Sequence, residues 1–307
     1  MLLSSTALSI MTSLIKSGMY LVASVPIVSL VALYFFQRKL VYPSSINNAR
    51  DLVDTPDKHG IPYEPINIKT EDGERLQSYL MLHDPKDPNY KNKTVLILSP
   101  NAGNIGQFLP IVKHIYSNLN YNVFIYSYRG YGLSTGTPSE TGLKKDADAV
   151  MRFIETHPQL SQSSVVTYGR SLGGAVAIYI TAKYGKQISG MILENTFLNI
   201  PKVIPHIFPF LKYVSFMCTE YWDSENDIKH INPDIPCLFL SGSKDEIVPP
   251  EHMAVLYETV GEAHGSDRKI VKVWAEFDAH HNDTIVAPGY WDTWEQFMIE
   301  MVIPYGK

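Results

Sequence analysis

Gly169-Arg170-Ser171-Leu172-Gly173-Gly174 is the run whose residue types and spacing point most directly at a nucleophile. It fits the pattern G-x-S-x-G. An apolar β-type run, SVVTYG (164–169), enters it, and a helix-type run, LGGAVAIYITAKYG, leaves it. A strand–elbow–helix turn needs that order. Such a turn holds its serine in a strained backbone conformation, with glycines two residues to either side where side chains would collide. It also raises the serine at a helix N-terminus, where backbone N–H groups and the helix dipole favour an anion.

A seryl hydroxyl attacks well only if a histidine takes its proton and a carboxylate fixes that histidine's tautomer. With this elbow the chain order is Ser, then Asp or Glu, then His. Asp245 follows the apolar run CLFLSGS (237–243), where a loop at the carboxyl end of a strand would present it. Glu246 is the adjacent competitor, while Asp223, Asp227 and Asp234 read as solvated surface charge. Further on, Phe277-Asp278-Ala279-His280-His281-Asn282-Asp283 offers two consecutive histidines, and spacing leaves both open. An oxyanion hole needs two backbone N–H donors. Leu172, the residue after the nucleophile, supplies one. The loop after TVLILSP (94–100) supplies the other: Pro100 has no N–H, so Asn101 is the first donor there and Ala102 the next.

Two other chemistries are set aside. His280, His281, Asp278 and Asp283 resemble a metal cluster, but no His-Glu-x-x-His helix or second histidine pair accompanies them. No metal and no cofactor is expected. Gly130, Gly132 and Gly136 in YRGYGLSTGTP lack the Lys-Ser/Thr ending of a phosphate loop and read as a tight structural turn.

The elements that must carry these residues alternate. YEPINIKT (63–70) and RLQSYLMLHD (75–84) flank Glu71-Asp72-Gly73 as a hairpin. Strand-like runs then follow at 94–100, 122–128, 164–169, 190–196, 237–243 and 269–276, with helices near 106–119 and 140–156 and after Ser171. The expected fold class is α/β, with a mostly parallel sheet covered by helices on both faces. Between Phe197 and Asn232 (about 197–232) lies a Pro-rich apolar insertion. It fits no strand and is broken as a helix at Pro201, Pro205 and Pro209; it reads as a cap over a pocket.

The chain has 307 residues, 45% hydrophobic, and a net charge of -5. One large α/β domain fits that length. No Lys/Arg-dense stripe exists to neutralise phosphates, so nucleic acid is not the expected partner. Cys218 and Cys237 are the two cysteines, and Cys237 opens an apolar segment where a buried thiol is the ordinary finding. Residues 19–36, MYLVASVPIVSLVALYFF, carry no charge, with Lys16 before them and Arg38-Lys39 after. The run is near the length of a membrane span, Pro26 is tolerable there, and no small-residue cleavage site follows. The expected organisation is an N-terminal segment (1–18), one transmembrane anchor (19–36), a polar tether (37–60) and a catalytic domain (61–307). Arg38, Lys39 and Arg50 outweigh Lys16, which places the domain on the cytosolic side; Asn92-Lys93-Thr94 and Asn282-Asp283-Thr284, as glycosylation acceptors, would need the opposite.

SPNAGNIGQF, SYRGYGLSTGTPSE, YGRSLGGA, LENTF, SGSKDEIVPP and HNDT together resemble the small membrane-anchored α/β-hydrolases of the bud-emergence suppressor type, over roughly residues 40 to 307. The resemblance implies a triad of Ser171, Asp245 and His281: the family's His-Asn-Asp-Thr is matched by His281 to Thr284, and His280 falls where relatives commonly have Ser or Thr. Many relatives carry His-Gly before Asn-Ala-Gly-Asn, where this chain has Ser99-Pro100. The implied activity is hydrolysis of an acyl ester or thioester, palmitoyl-protein included, with a lipid or acylated protein as partner and an endomembrane such as the endoplasmic reticulum or vacuole as location. The competing class is a non-catalytic membrane scaffold in morphogenesis that keeps the fold.

Overall fold

Val95, Leu96, Ile97 and Leu98 are all buried. They serve two cores, because successive side chains of a strand point to opposite faces. Val95 and Ile97 join one apolar cluster, Leu96 and Leu98 the other. This computed structural model describes residues 5–265 and 270–303. Among them, β1 (Glu64–Lys69), β2 (Arg75–Met81), β3 (Lys91–Leu98), β4 (Tyr121–Tyr126), β5 (Ser164–Arg170), β6 (Ile188–Glu194), β7 (Cys237–Gly242) and β8 (Lys272–Phe277) form one sheet. Its order is β1-β2-β4-β3-β5-β6-β7-β8. The β1–β2 and β2–β4 pairs are antiparallel and all the others parallel. The expected hairpin, buried parallel strands and α/β alternation are therefore all present. Lys269, first residue of the expected last strand, lies outside the described residues.

The helices are α1 (Ser5–Val41), α2 (Leu109–Lys113), α3 (Glu140–Thr156), α4 (Leu172–Lys183), α5 (Ile200–Ile207), α6 (Ser224–Asp227), α7 (Pro250–Thr259) and α8 (Tyr290–Glu300). Side chains of α3, α4 and α7 fill the core on one face of the sheet, those of α2 and α8 the core on the other. Ser139 caps α3 by accepting from the Gly142 N–H at 3.1 Å, satisfying a donor the helix itself leaves free. The stretch expected as a helix near 106–119 is α2 followed by a wider turn over His114–Asn118.

Two expectations change. The insertion is not broken at Pro201 or Pro205: α5 contains both, with Pro201 in its first turn, where a missing N–H costs nothing. The helix ends before Pro209, which opens a separate turn. The other change is N-terminal. α1 runs without interruption across the boundaries expected at 18/19 and 36/37. The stretch expected as a tether lies against the domain, because its polar groups have partners there. Tyr42 and Ala49 are buried, the Arg50 guanidinium donates to the Gly130 carbonyl (2.5 Å), and the Asn104 amide donates to Ala49 O (2.9 Å) and Leu52 O (2.8 Å). Among the described residues no helix is long and apolar enough to cross a membrane. The side chains of residues 21–23, 26 and 27, within the apolar run 19–36, lie outside that description.

Candidate active site

β5 ends and α4 begins within a single residue. Ser171 takes φ 54°, ψ -120° at that junction, a left-handed conformation that costs a non-glycine residue of order 1–3 kcal/mol and persists only where its surroundings enforce it. The enforcement comes from the end of β6. Ser171 N–H donates to Glu194 O (3.0 Å), and the Thr196 hydroxyl donates to Ser171 O (2.7 Å). The glycines are explained by close approach, though not to the serine itself. A Cβ on Gly169 would strike the Gly173 carbonyl, one on Gly173 the Leu98 carbonyl, and one on Gly174 the Thr196 side chain. They let α4 start directly above β3 and β5.

The loop after β7 and the loop after β8 meet beside the elbow. His281 Nδ1 lies 2.7 Å from Asp245 Oδ2, and both side chains are almost wholly buried. Asp245 Oδ1 accepts from the N–H groups of Ile247 (2.9 Å) and Val248 (2.8 Å), so one oxygen is held by the backbone while the other orients the imidazole. His280 points elsewhere, to Glu246 Oε2 at 3.1 Å, and is exposed. The same Glu246 oxygen accepts from His281 N–H (3.3 Å). Asp278 pairs with Lys244 at 2.6 Å, and Asp283 accepts from His280 N–H (2.5 Å); the residues that mimic a metal cluster in sequence are engaged one by one.

Ser171, Leu172, Asn101, Ala102 and His281 line one cavity of about 420 Å³. The Asn101 loop is fixed from two sides: Tyr131 OH donates to Asn101 O (2.8 Å), and the Asn101 amide donates to Val41 O (3.1 Å), the end of α1. The cap supplies much of the wall, including Val203, Phe208, Leu211 and Met217. Cys218 reaches the same wall and Cys237 is buried in β7, both as free thiols.

Three contributions escape the sequence reading. Asn195, at φ 45°, donates to His281 O (3.1 Å) and Thr284 Oγ1 (2.8 Å) and accepts from Gly242 N–H (2.8 Å). It ties β6, β7 and the histidine loop together, and the motif LENTF contains it. Arg129 carries the turn rich in glycine: its guanidinium bonds Asp72 (2.8 and 3.0 Å) and Asp146 (2.9 Å). Gly130 and Gly136 adopt φ 76° and 86°, in keeping with a structural turn. The third is α1, whose Leu30, Leu33, Tyr34, Gln37, Leu40 and Val41 border the cavity; uniform apolarity gives no hint of that inner face.

A family model described as serine aminopeptidase, S33, of the Hydrolase_4 type matches residues 91–228. The uncharacterized membrane protein YNL320W of Saccharomyces cerevisiae is 50% identical over 274 residues, 89% of this chain and 92% of that protein. Protein bem46 of Schizosaccharomyces pombe is 44% identical over 286 residues, 92% of each. Among solved structures, the Pyrococcus furiosus esterase Pf2001 superposes with a TM-score of 0.66 at 21% identity, over 83% of this chain and 97% of the esterase. That likeness is one of fold, the α/β-hydrolase fold.

Proposed function

The chain belongs to the α/β-hydrolase domain family that includes bem46, and from that premise we propose that it is a membrane-anchored serine hydrolase cleaving a long-chain acyl ester or thioester through an acyl-Ser171 intermediate. The observation that carries this reading is the strained Ser171 elbow sharing a cavity with a buried His281–Asp245 pair. Ser171 Oγ attacks the acyl carbonyl while His281 takes its proton. Asp245 keeps the proton of Nδ1 in place and stabilises the imidazolium. The tetrahedral oxyanion is received by the N–H groups of Leu172 and Asn101. His281 then protonates the leaving alkoxide or thiolate, and in the second half it activates the water that frees the acid.

The lining favours an acyl chain over a peptide N-terminus. An aminopeptidase needs a carboxylate to hold the substrate ammonium, and no Asp or Glu lines the cavity among the described residues. Apolar side chains dominate it instead, as in sites that bury ligand hydrocarbon. Membrane anchoring by α1 rests on the uncharged run 19–36 and on the membrane designation of YNL320W. The basic residues Arg38, Lys39 and Arg50 favour a cytosolic catalytic domain.

The test is hydrolysis of palmitoyl esters and thioesters by the detergent-solubilised full chain. Ser171→Ala should lower kcat by roughly 10³-fold or more. Equal turnover by the wild type and Ser171→Ala would reject the reading.

A further inference from the structure

α1 presents two surfaces at once. Leu30, Leu33, Gln37 and Val41 lie on one face at helical spacing and border the cavity. On the remaining faces Val25, Val28, Val31, Phe35 and Phe36 are exposed. A helix apolar all round is stable only when buried in protein or in lipid. Among the described residues, the cavity wall takes up a single face of α1, from Leu30 to Val41.

The end of α1 is also clamped to the cap. Gln37 Oε1 accepts from Thr219 N–H (2.7 Å). Arg38 Nε donates to Glu220 Oε1 (2.7 Å) and Tyr42 OH to Glu220 Oε2 (2.8 Å), while Trp222 Nε1 donates to Tyr42 OH (2.9 Å). Glu220 is buried and also accepts from Glu140 N–H (2.5 Å), so one carboxylate joins the end of α1, the cap and the start of α3. Beside this clamp the cap turns out Phe210, Tyr213 and Phe216, which are 75%, 83% and 80% exposed. Aromatic side chains with an apolar body and, for tyrosine, a polar tip suit the membrane–water boundary. These aromatics alternate along the cap with Leu211, Val214, Ser215 and Met217, which line the cavity that α1 borders.

We propose that α1 is one wall of an acyl-chain channel opening sideways into the bilayer, so that a membrane-embedded acyl chain reaches Ser171 between α1 and the cap without crossing water. The proposal rests on the reading of Ser171 as nucleophile. From Leu30 to Val41 the wall spans about 16 Å at the helical rise, the length scale of a long acyl chain. Leu33 on α1 and Met217 on the cap line this channel and set the acyl length it admits.

The full chain, reconstituted in phosphatidylcholine vesicles, is assayed for kcat/KM on a soluble acetyl ester and on embedded palmitoyl substrates. One vesicle set carries monopalmitoylglycerol and the other an S-palmitoyl peptide, so the set that is turned over identifies the source of the chain. Leu33→Trp should lower the palmitoyl-to-acetyl ratio about tenfold, the size of effect a filled apolar subsite produces, and Met217→Trp should act in the same direction. Leu14→Trp, on the same helix but away from the cavity, should leave the ratio at the wild-type value. A ratio unmoved by both Leu33→Trp and Met217→Trp overturns the channel, as does acetyl cleavage with neither palmitoyl substrate consumed. Loss of acetyl cleavage in the wild type, with no fluorophosphonate labelling of Ser171, instead overturns the hydrolase reading and the channel with it.

Discussion

At the scale of single residues, the site turns on which histidine meets the carboxylate. Spacing alone leaves His280 and His281 equivalent, because both follow the last strand within one loop. The distinction is three-dimensional: His281 faces inward to Asp245, whereas His280 turns outward to Glu246. His281→Ala should therefore abolish ester hydrolysis to the level of Ser171→Ala, a loss of roughly 10³-fold or more, while His280→Ala should keep activity within a few-fold of wild type. Steady-state rates of the two variants on one ester decide it. Ser171 itself was legible from the strand–glycine–helix context. Its hold on Glu194 and Thr196 was not, since contacts with a strand more than twenty residues downstream leave no local pattern.

At the scale of elements, the apolar runs located the central strands because both faces of the sheet are covered there and β4 to β7 are buried almost throughout. Proline misled in the insertion, where α5 takes one proline into its first turn and absorbs another. The polar stretch after α1 misled for a different reason, since some of its polar groups bond the domain. The turn between β4 and α3 depends on Arg129, which joins it to Asp72 and to buried Asp146. Arg129→Ala should destabilise the fold by about 3–5 kcal/mol, as removal of one partner from a buried ion pair does, and urea denaturation would measure it; a change under about 1 kcal/mol would show the network to be unimportant. α7 holds a pH dependence. Burial, helped by the charge of Lys202, pushes the His252 imidazole down to about 4, and its Nδ1 accepts from Leu198 N–H at 3.4 Å. In the folded chain it stays neutral down to about 4, whereas unfolded it protonates near 6.5. Its contribution is complete above pH 6.5 and is lost as the pH falls towards 4, on the order of 3 kcal/mol. His252→Gln should flatten the stability–pH curve across that window; an unchanged slope would contradict the assignment.

At the scale of the whole molecule, hydrogen bonds tie α1 to the Asn101 loop and to the cap: Val41 accepts from Asn101, and Arg38 and Tyr42 hold Glu220. The sequence showed an apolar N-terminal run but not that its inner face is part of the pocket, because no periodicity separates that face from the others. With Arg38 and Lys39 closing the run, the catalytic domain is expected in the cytosol, with Asn92 and Asn282 unmodified. Asn282 borders the cavity, so a glycan there would crowd its mouth. Treatment with an endoglycosidase should leave the electrophoretic mobility of the native protein unchanged, and a downward shift would place the domain in the lumen. The central claim, however, is chemical, and covalent capture tests it most directly. After incubation with a fluorophosphonate, peptide mass mapping of the native chain should find the adduct on the peptide containing Ser171, and none in Ser171→Ala; an unmodified Ser171, or an adduct that survives its replacement, would contradict the account.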